Sequence, residues 1–389
     1  MKVTPERPIH LLLTGGGTGG HLFPAIAAAE AFCARCPGTE VLFVGTRRKM
    51  DAESLSAHGF NSRSVHCHGL KGKNFGEFCK ALAVMPLSFL EAVLHIRRFA
   101  PDVVLGVGGY VTGPVVAAAR LLGIPTVIHE QNSVPGLANR KLGRIVQRIC
   151  LSLPDTGGYF PKEKAILTGN PVRQKILAVS GRKQQSPDSG CTVLVLGGSQ
   201  GAHALNMLVV EAFTGAGKEA LAGLRVIHQT GEKDEASVRT SYHEAGVHAT
   251  VAAFFRDMPA VYTQADFLIS RAGATTLSEL AVLGLPAILV PYPYAADRHQ
   301  DVNARYYQDG GGAILFQQNQ LTVEDIVMSV KKLAEDGLRR EKMGQAMRKL
   351  ACPEAAGAIV DVCLQAISDK KDLRACRRQE GRFTDVSKN

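Results

Sequence analysis

A strand-like run, a glycine turn and a helical pattern occur in that order twice in this chain. Leu13-Thr14-Gly15-Gly16-Gly17-Thr18-Gly19-Gly20-His21 returns as Val195-Leu196-Gly197-Gly198-Ser199-Gln200-Gly201-Ala202-His203. A second echo pairs Leu122-Gly123-Ile124-Pro125 with Leu283-Gly284-Leu285-Pro286. There a helix ends at glycine, turns through proline and enters a buried strand. One echo could be chance, since any two strand-to-helix turns look alike. Two in the same order predict two doubly wound domains of similar size.

The rest of the chain supports that reading. Short β-branched runs alternate with longer helical patterns, the signature of βαβ units and parallel sheets. Strands are predicted at Ile9–Thr14, Val41–Val44, Val103–Val107, Thr126–His129, Thr192–Leu196, Val226–Thr230, Phe267–Ser270 and Ala287–Pro291. At about 150 residues per domain, 389 residues is room for two or three. Ser180–Gly190 reads as a surface loop. Thr322 with Asp325 opens a helix carrying Ile326, Val330 and Leu333 on one face. Pro353 opens the last helix, with Ile359, Val362 and Cys363 as its apolar positions.

Composition removes several classes. Hydrophobic residues are 46% and charged residues 21%, which excludes a wholly disordered chain. Nine scattered cysteines suit reduced thiols in a cytoplasm better than a disulfide scaffold. The polar start, Met1 to Pro8, lacks the apolar stretch of a signal peptide. Val103–Ala119 is too rich in glycine for a spanning helix of about 20 residues. The balance of 45 basic against 35 acidic residues gives +10. Part of this lies in residues 369–389, read as a frayed tail. Cys33-x-x-Cys36 and His66-Cys67-His68 have no second ligand pair and read as structural.

Three segments could carry chemistry. Gly15–Gly20 follows a strand and opens a helix, so free N–H groups and a positive dipole end could face an anion. Gly15, Gly17 and Gly20 also satisfy G-x-G-x-x-G, a weak signal alone. The second strand ends Val44-Gly45-Thr46-Arg47 with no acid for a ribose, which disfavours NAD and leaves NADP open through Arg47. Ser270–Glu279 repeats the strand-to-helix arrangement. Its first turn suits a diphosphate, and Glu279 could accept from vicinal ribose hydroxyls. Helix capping by Ser and Thr, with a Glu favouring the N-terminus, explains that segment almost as well. Tyr292, Asp297, His299, Gln300 and Asn303 form a polar loop past a strand end, where open α/β sheets bind ligands.

Taken in order from Gly15 to Glu279, these motifs resemble a known family. They are Gly15–His21, Gly108-Gly109-Tyr110, His129-Glu130-Gln131-Asn132, Gly169-Asn170-Pro171-Val172-Arg173, Gly197–Gly201 and Ala274–Glu279. The chain resembles the bacterial peptidoglycan N-acetylglucosaminyltransferases that convert lipid I to lipid II. The resemblance implies an α/β fold of GT-B architecture: two Rossmann-like doubly wound domains facing across a cleft, with a C-terminal helix returning to the first. It implies residues 1–168 plus 352–368 as an acceptor- and membrane-facing domain. It implies 169–351 as the UDP-sugar domain and 369–389 as a disordered tail.

The resemblance also implies roles. The donor is UDP-N-acetylglucosamine. Phe255 meets its uracil through the backbone, Glu279 the ribose, and Ser199 with Ala274, Thr275 and Thr276 the diphosphate, with Leu277 and Ser278 in the same UDP-N-acetylglucosamine site. His299 and Gln300 reach the sugar. Thr18, Gly19, Gly20, Asn132 and Arg173 complete the donor pocket. The acceptor is undecaprenyl-diphosphate-linked muramyl-pentapeptide, its diphosphate held by Gly16, Gly17, Gly109, Tyr110 and Arg144. The reaction inverts the anomeric centre, with His21 as first candidate for the base and Glu130 as second. No metal and no cofactor are implied, because a helix N-terminus can receive the leaving diphosphate. Other cell-wall synthesis proteins are implied partners, nucleic acid is not, and the enzyme would serve cell-wall growth and division.

That family works at the inner face of the plasma membrane, and the sequence offers a basic and apolar region. Residues 68–78 lead into Leu82, Met85, Pro86, Leu87 and Phe89. Arg140, Arg144 and Arg148 recur at helical spacing on one face. A core helix flanked by solvated charges is the plainer account. Two rivals for the whole chain remain: a UDP-sugar 2-epimerase on the same architecture, and an NADP oxidoreductase or a non-catalytic membrane module.

Overall fold

The computed structural model describes residues 7–16, 19–46, 53, 55–67, 75–182, 190–198, 201–215 and 223–386. The chain divides into two compact units. Unit 1 runs to Pro171 and resumes at Glu354; unit 2 is Val172–Pro353. The division falls a few residues later than the sequence suggested at 169 and at 352. Gly169 belongs with unit 1 because its carbonyl is held by buried His129.

In unit 1 the order is β1 (His10–Thr14), α1 (Gly19–Arg35), β2 (Glu40–Gly45), β3 (Asn61–Ser64), α2 (Phe75–Phe99), β4 (Val103–Gly106), α3 (Thr112–Leu121), β5 (Thr126–Glu130), α4 (Leu137–Leu142), β6 (Arg148–Leu151) and β7 (Ala165–Leu167). All seven strands are parallel, in the order β3-β2-β1-β4-β5-β6-β7. Unit 2 contains β8 (Cys191–Leu196), α5 (His203–Gly215), β9 (Leu224–Gln229), α6 (Glu235–Glu244), β10 (Ala249–Ala252), α7 (Met258–Gln264), β11 (Phe267–Ser270), α8 (Ala274–Leu283), β12 (Ala287–Leu289), α9 (His299–Asp309), β13 (Ala313–Leu315), α10 (Val323–Glu335) and α11 (Gly337–Lys349). Its sheet is parallel in the order β10-β9-β8-β11-β12-β13. The last helix, α12 (Ala355–Val386), returns to unit 1.

The repeated glycine turns have equivalent places. β1 lies between β2 and β4, and β8 lies between β9 and β11. Each is the strand at which the order reverses, where open α/β sheets leave a crevice at the carboxyl ends. The second echo is also structural. Gly123 and Gly284 take φ of +66° and +69°, the left-handed turn that ends α3 and α8. Strands buried on both faces, such as Leu11–Leu13 and Val193–Val195, explain the near-continuous apolar runs.

Three sequence expectations change. Arg140, Arg144 and Arg148 do not share a helix: α4 stops at Leu142, and Arg148 opens β6 and pairs with Asp369 at 2.7 Å. Gly143 caps the turn, and the β-branched pair Ile145-Val146 leads into a strand. The tail expected to be disordered from residue 369 continues as helix to Val386, with no Gly or Pro before Gly381 to stop it. Five further strands, β3, β6, β7, β10 and β13, were not predicted. Four of them are sheet edges: β3 is polar, and β7 and β13 are apolar but only three residues long. The capped helix at Thr322 is present as α10, with its Thr322–Asp325 capping box.

Candidate functional site

In unit 1 the turns after β1 and β4 touch backbone to backbone. Gly16, Gly108 and Gly109 have φ of +130°, +98° and +87°. A Cβ on Gly109 would lie 2.7 Å from the Gly16 carbonyl oxygen, and one on Gly15 would strike Val107. Thr112 at the start of α3 donates to the Gly108 carbonyl at 2.7 Å. The two turns thus approach without a Cβ between them, and the His21 ring lies against Gly108, 3.0 Å from where a Cβ would stand. Gly19, Gly20 and His21 form the first turn of α1. Tyr110, next to Gly109, is half-buried. Gly17 and Thr18 lie outside the described residues.

His21 is half-buried, and its Nδ1 is 3.0 Å from Gln131 Oε1. Gln131 Nε2 donates to the Val107 carbonyl at 2.8 Å and lies 3.1 Å from His129 Nδ1. His129 Nε2 lies 3.2 Å from the Gly169 carbonyl and 3.0 Å from Ser152 Oγ. Burial pushes the His129 imidazole down to about 4, so it is neutral at pH 7. Its neighbour His21 pushes the same way.

Glu130 is placed differently from a base. It is 3% exposed, and four donors surround its carboxylate. Oε1 accepts from Asn132 N–H at 3.0 Å and Asn132 Nδ2 at 3.3 Å. Oε2 accepts from Gly136 N–H at 3.1 Å and Asn139 Nδ2 at 3.0 Å. A carboxylate has about four acceptor positions, and here all are used. Glu130 fastens the segment between β5 and α4, and Asn132 is part of that fastening.

Arg144 is separated from the glycine turns. Gln147, three residues on, donates its N–H to the Thr126 carbonyl at the entry of β5. The glycine turns are at the exit ends of parallel strands, so Arg144 sits at the opposite end of the sheet. There its carbonyl accepts from Lys164, and it shares a shallow depression with Arg120, Leu121, Ile145 and Lys164. The apolar face expected from Leu82 to Phe89 also shifts. Phe89 packs inward, while Leu87, Leu90 and Leu94 are 47%, 60% and 54% exposed on α2. Residues 68–74 and Arg47 lie outside the described residues, and side chains of α2 are described from Val84.

In unit 2 the Gly197-Gly198 turn and Gly201 lie at the exit of β8, and a Cβ on Gly201 would collide with the Thr230 carbonyl. Ser199 lies outside the described residues. Gln229 Oε1 accepts the Phe255 N–H at 3.0 Å, and its Nε2 reaches the Gly198 carbonyl at 3.4 Å. Gln229 thus ties two loops, and it holds the N–H of Phe255, the residue whose backbone is expected to meet the uracil.

α8 begins at Ala274 with Gly273 as its cap and no side-chain acceptor on that cap. The first intrahelical bond is from Leu277 N–H to the Gly273 carbonyl at 3.0 Å. The N–H groups of Ala274, Thr275 and Thr276 precede it, at the positive end of the helix dipole. Leu277 is fully buried, and Ser278 Oγ donates back to the Ala274 carbonyl at 2.9 Å. The Leu277 side chain is thus spent on packing and the Ser278 hydroxyl on the helix itself.

Glu279 lies in the second turn of α8 as expected, but it is 4% exposed. Its Oε1 accepts from Arg173 Nη2 at 2.7 Å and Nε at 3.2 Å, and its Oε2 accepts from the Tyr262 hydroxyl at 2.9 Å. Burial, then the Glu279 charge, raises the Tyr262 phenol well above its ordinary value. Tyr262 therefore stays a donor. Arg271 is a strut: it donates to the Val290 and Pro291 carbonyls at 3.0 and 3.2 Å and to Gln318 at 2.6 Å. Gln300 Oε1 accepts the Tyr292 N–H at 2.9 Å, and His299 Nδ1 lies 2.7 Å from the Ala296 carbonyl. Asp297 and Arg298 just before them have φ of +53° and +52°, a strained pair of the kind found at ligand loops.

Sequence reasoning missed Gln131, Gln229 and Tyr262. Gln131 lies inside a quoted motif with no role attached. Tyr262 falls on an apolar helix position and reads as core. His66 of the His-Cys-His triplet is paired with Glu91 at 2.5 Å. Among the described residues no three His, Cys, Asp or Glu side chains converge as metal ligands do. Among them also, no helix is long and apolar enough to cross a membrane.

Similarity to known proteins follows the same division. The glycosyltransferase family 28 N-terminal domain matches residues 11–151, and the family 28 C-terminal domain matches 192–358. A relative from Desulfotalea psychrophila is named UDP-N-acetylglucosamine--N-acetylmuramyl-(pentapeptide) pyrophosphoryl-undecaprenol N-acetylglucosamine transferase. It is 58% identical over 95% of this chain and 99% of its own length. The crystal structure of Acinetobacter baumannii MurG is 31% identical, with a TM-score of 0.73 over 92% of this chain and all of that one. A UDP-N-acetylglucosamine 2-epimerase shares the fold at 14% identity, with a TM-score of 0.64 over 91% of this chain and 95% of its own. The chain belongs to glycosyltransferase family 28.

Proposed function

We propose that this chain transfers N-acetylglucosamine from UDP-N-acetylglucosamine to the 4-hydroxyl of a muramyl-pentapeptide carried on undecaprenyl diphosphate. The observation that carries this reading is the 58% identity with a transferase of that name, sustained over 95% of the chain. The geometry is in keeping with it. Unit 2 offers the α8 N-terminus for the donor diphosphate, with buried Glu279 one turn further on. Gln300 lies by the strained loop for the sugar. Unit 1 offers the glycine crevice for the acceptor diphosphate and His21 beside it as the base.

As the acceptor 4-hydroxyl displaces UDP with inversion, His21 takes its proton. The N–H groups of the first turn of α8 receive the charge that develops on the leaving diphosphate. Glu130 holds the segment after β5 in place and takes no part in proton transfer. Arg144 is assigned to the surface.

That surface is the proposed membrane contact. Leu87, Leu90, Leu94, Leu121 and Ile145 are exposed, with Arg97, Arg98, Arg120 and Arg144 toward the strand-entry end of unit 1. Each cation near an anionic leaflet contributes about 1 kcal/mol. This surface would hold the enzyme on the inner face of the plasma membrane, beside its lipid-borne acceptor. Loss of flotation with anionic vesicles on replacing Leu90 and Leu94 with Ser supports it; unchanged flotation removes it.

The test of the reaction is UDP release from UDP-N-acetylglucosamine, with and without a short-chain lipid acceptor, in EDTA. Acceptor-dependent release with a disaccharide product supports the proposal. Epimerised sugar without acceptor would move the chain to the epimerase reading.

A further inference from the structure

We infer that Gln131 is a positioning residue that fixes which nitrogen of His21 carries the proton. The inference rests on the reading of His21 as the base.

The argument starts at a carbonyl that can only accept. Val107 O is 2.8 Å from one end of the Gln131 amide. That end must be the NH2 group, since two oxygens at that distance would repel. The amide oxygen is then the end that faces His21 Nδ1 at 3.0 Å. An amide oxygen also only accepts, so Nδ1 carries the hydrogen. In the neutral imidazole, Nε2 is left with a lone pair. Nothing among the described residues bonds it, so it is the nitrogen available to take a proton.

The other end of the chain of bonds agrees. The same Gln131 NH2 lies 3.1 Å from His129 Nδ1, which must accept. His129 then carries its hydrogen on Nε2, which faces the Gly169 carbonyl at 3.2 Å. A second carbonyl thus fixes the second imidazole. Burial keeps His129 neutral, and that matters because a proton on its Nδ1 would oppose the Gln131 NH2. Two carbonyls from separate strand ends, Val107 and Gly169, set the direction of all the bonds between them.

A free imidazole favours the opposite tautomer, with hydrogen on Nε2. Without Gln131, His21 would mostly hold its hydrogen where the lone pair is needed.

The test is nitrogen NMR of the full chain labelled at histidine rings, with His21 assigned by its loss in His21→Gln. In the wild type at alkaline pH the couplings should report Nδ1–H. An Nε2–H pattern overturns the inference, whatever any variant does. In Gln131→Met the pattern should move toward Nε2–H. Turnover with the lipid acceptor should fall about tenfold or more, with KM for the UDP-sugar unchanged. Retention of Nδ1–H in a folded Gln131→Met also overturns it. A switched tautomer with unchanged turnover upholds the relay and removes His21 as the base, so the two ideas fail separately.

Discussion

The Tyr262 hydroxyl donates to Glu279 Oε2 across 2.9 Å, inside unit 2 and out of solvent. With Arg173 on the other oxygen, the carboxylate cannot rotate. Tyr262→Phe keeps the ring packing and removes one hydrogen bond to a charged acceptor, about 1.5–3 kcal/mol. UDP affinity should weaken about tenfold or more by calorimetry, with little change in the circular dichroism spectrum. Unaltered affinity would mean that the carboxylate's orientation does not matter to the nucleotide.

Glu130 accepts four hydrogen bonds, so Glu130→Ala should act on stability. It strands the donors of Asn132, Gly136 and Asn139, at a cost of about 3 kcal/mol or more. Hydrogen exchange should speed up across residues 132–139. In whatever activity survives, the acid limb of the pH–rate profile should not move. A displaced limb in a stable variant would return Glu130 to proton transfer.

Gly109 has φ of +87° and faces the Gly16 carbonyl. Gly109→Ala strains the backbone, by roughly 1–3 kcal/mol, and also parts the two glycine turns. The kcat/KM for the lipid acceptor should fall at least tenfold, while UDP binding, a property of unit 2, stays as it was. Equal loss of both would argue against an acceptor site in unit 1.

His129 and His228 are buried neutral, one in each unit, with burial pushing them down to about 4 and about 3. The unfolded chain binds these protons near pH 6.5 and the folded chain does not. Stability is therefore present above pH 6.5 and declines as pH falls. Each imidazole contributes a slope of about 1.4 kcal/mol per pH unit until its folded value is reached. The ring signals of both histidines should not titrate between pH 7 and 5, and the urea midpoint should drop over that range. A ring titrating near 6.5 would show that it is not sealed.

Much of the fold was legible because the parallel strands are buried on both faces and the glycine turns sit at strand exits. Leu13-Thr14-Gly15 and Val195-Leu196-Gly197 announce themselves locally. Edge strands such as Asn61–Ser64 do not, because polar residues there are set only by a neighbouring strand. The same limit applied to the site. Residue type placed Glu279 near the start of a helix, but not its partners Arg173 and Tyr262, which come from distant segments. Arg144 came to the diphosphate from the resemblance, and a matching charge does not say which end of a sheet a loop reaches. Gln131 was invisible as a role, since an amide acquires direction only from the carbonyls it meets.

The return of α12 to unit 1 has a consequence in time. Ile359, Val360, Cys363 and Leu364 are at most 4% exposed and pack against the β-sheet whose strands end by Leu167. The ribosome makes those strands first, then all of unit 2, and only then the helix that covers them. During that interval α1 covers only part of that face, and the apolar surface that Ile359, Val360 and Cys363 will meet stays open. Unit 2, whose sheet and helices are contiguous in the chain, can finish folding first. A nascent chain arrested before residue 354 should thus hold a folded second unit beside an incomplete first one, and chaperones that bind exposed apolar surface should find the earlier-made half.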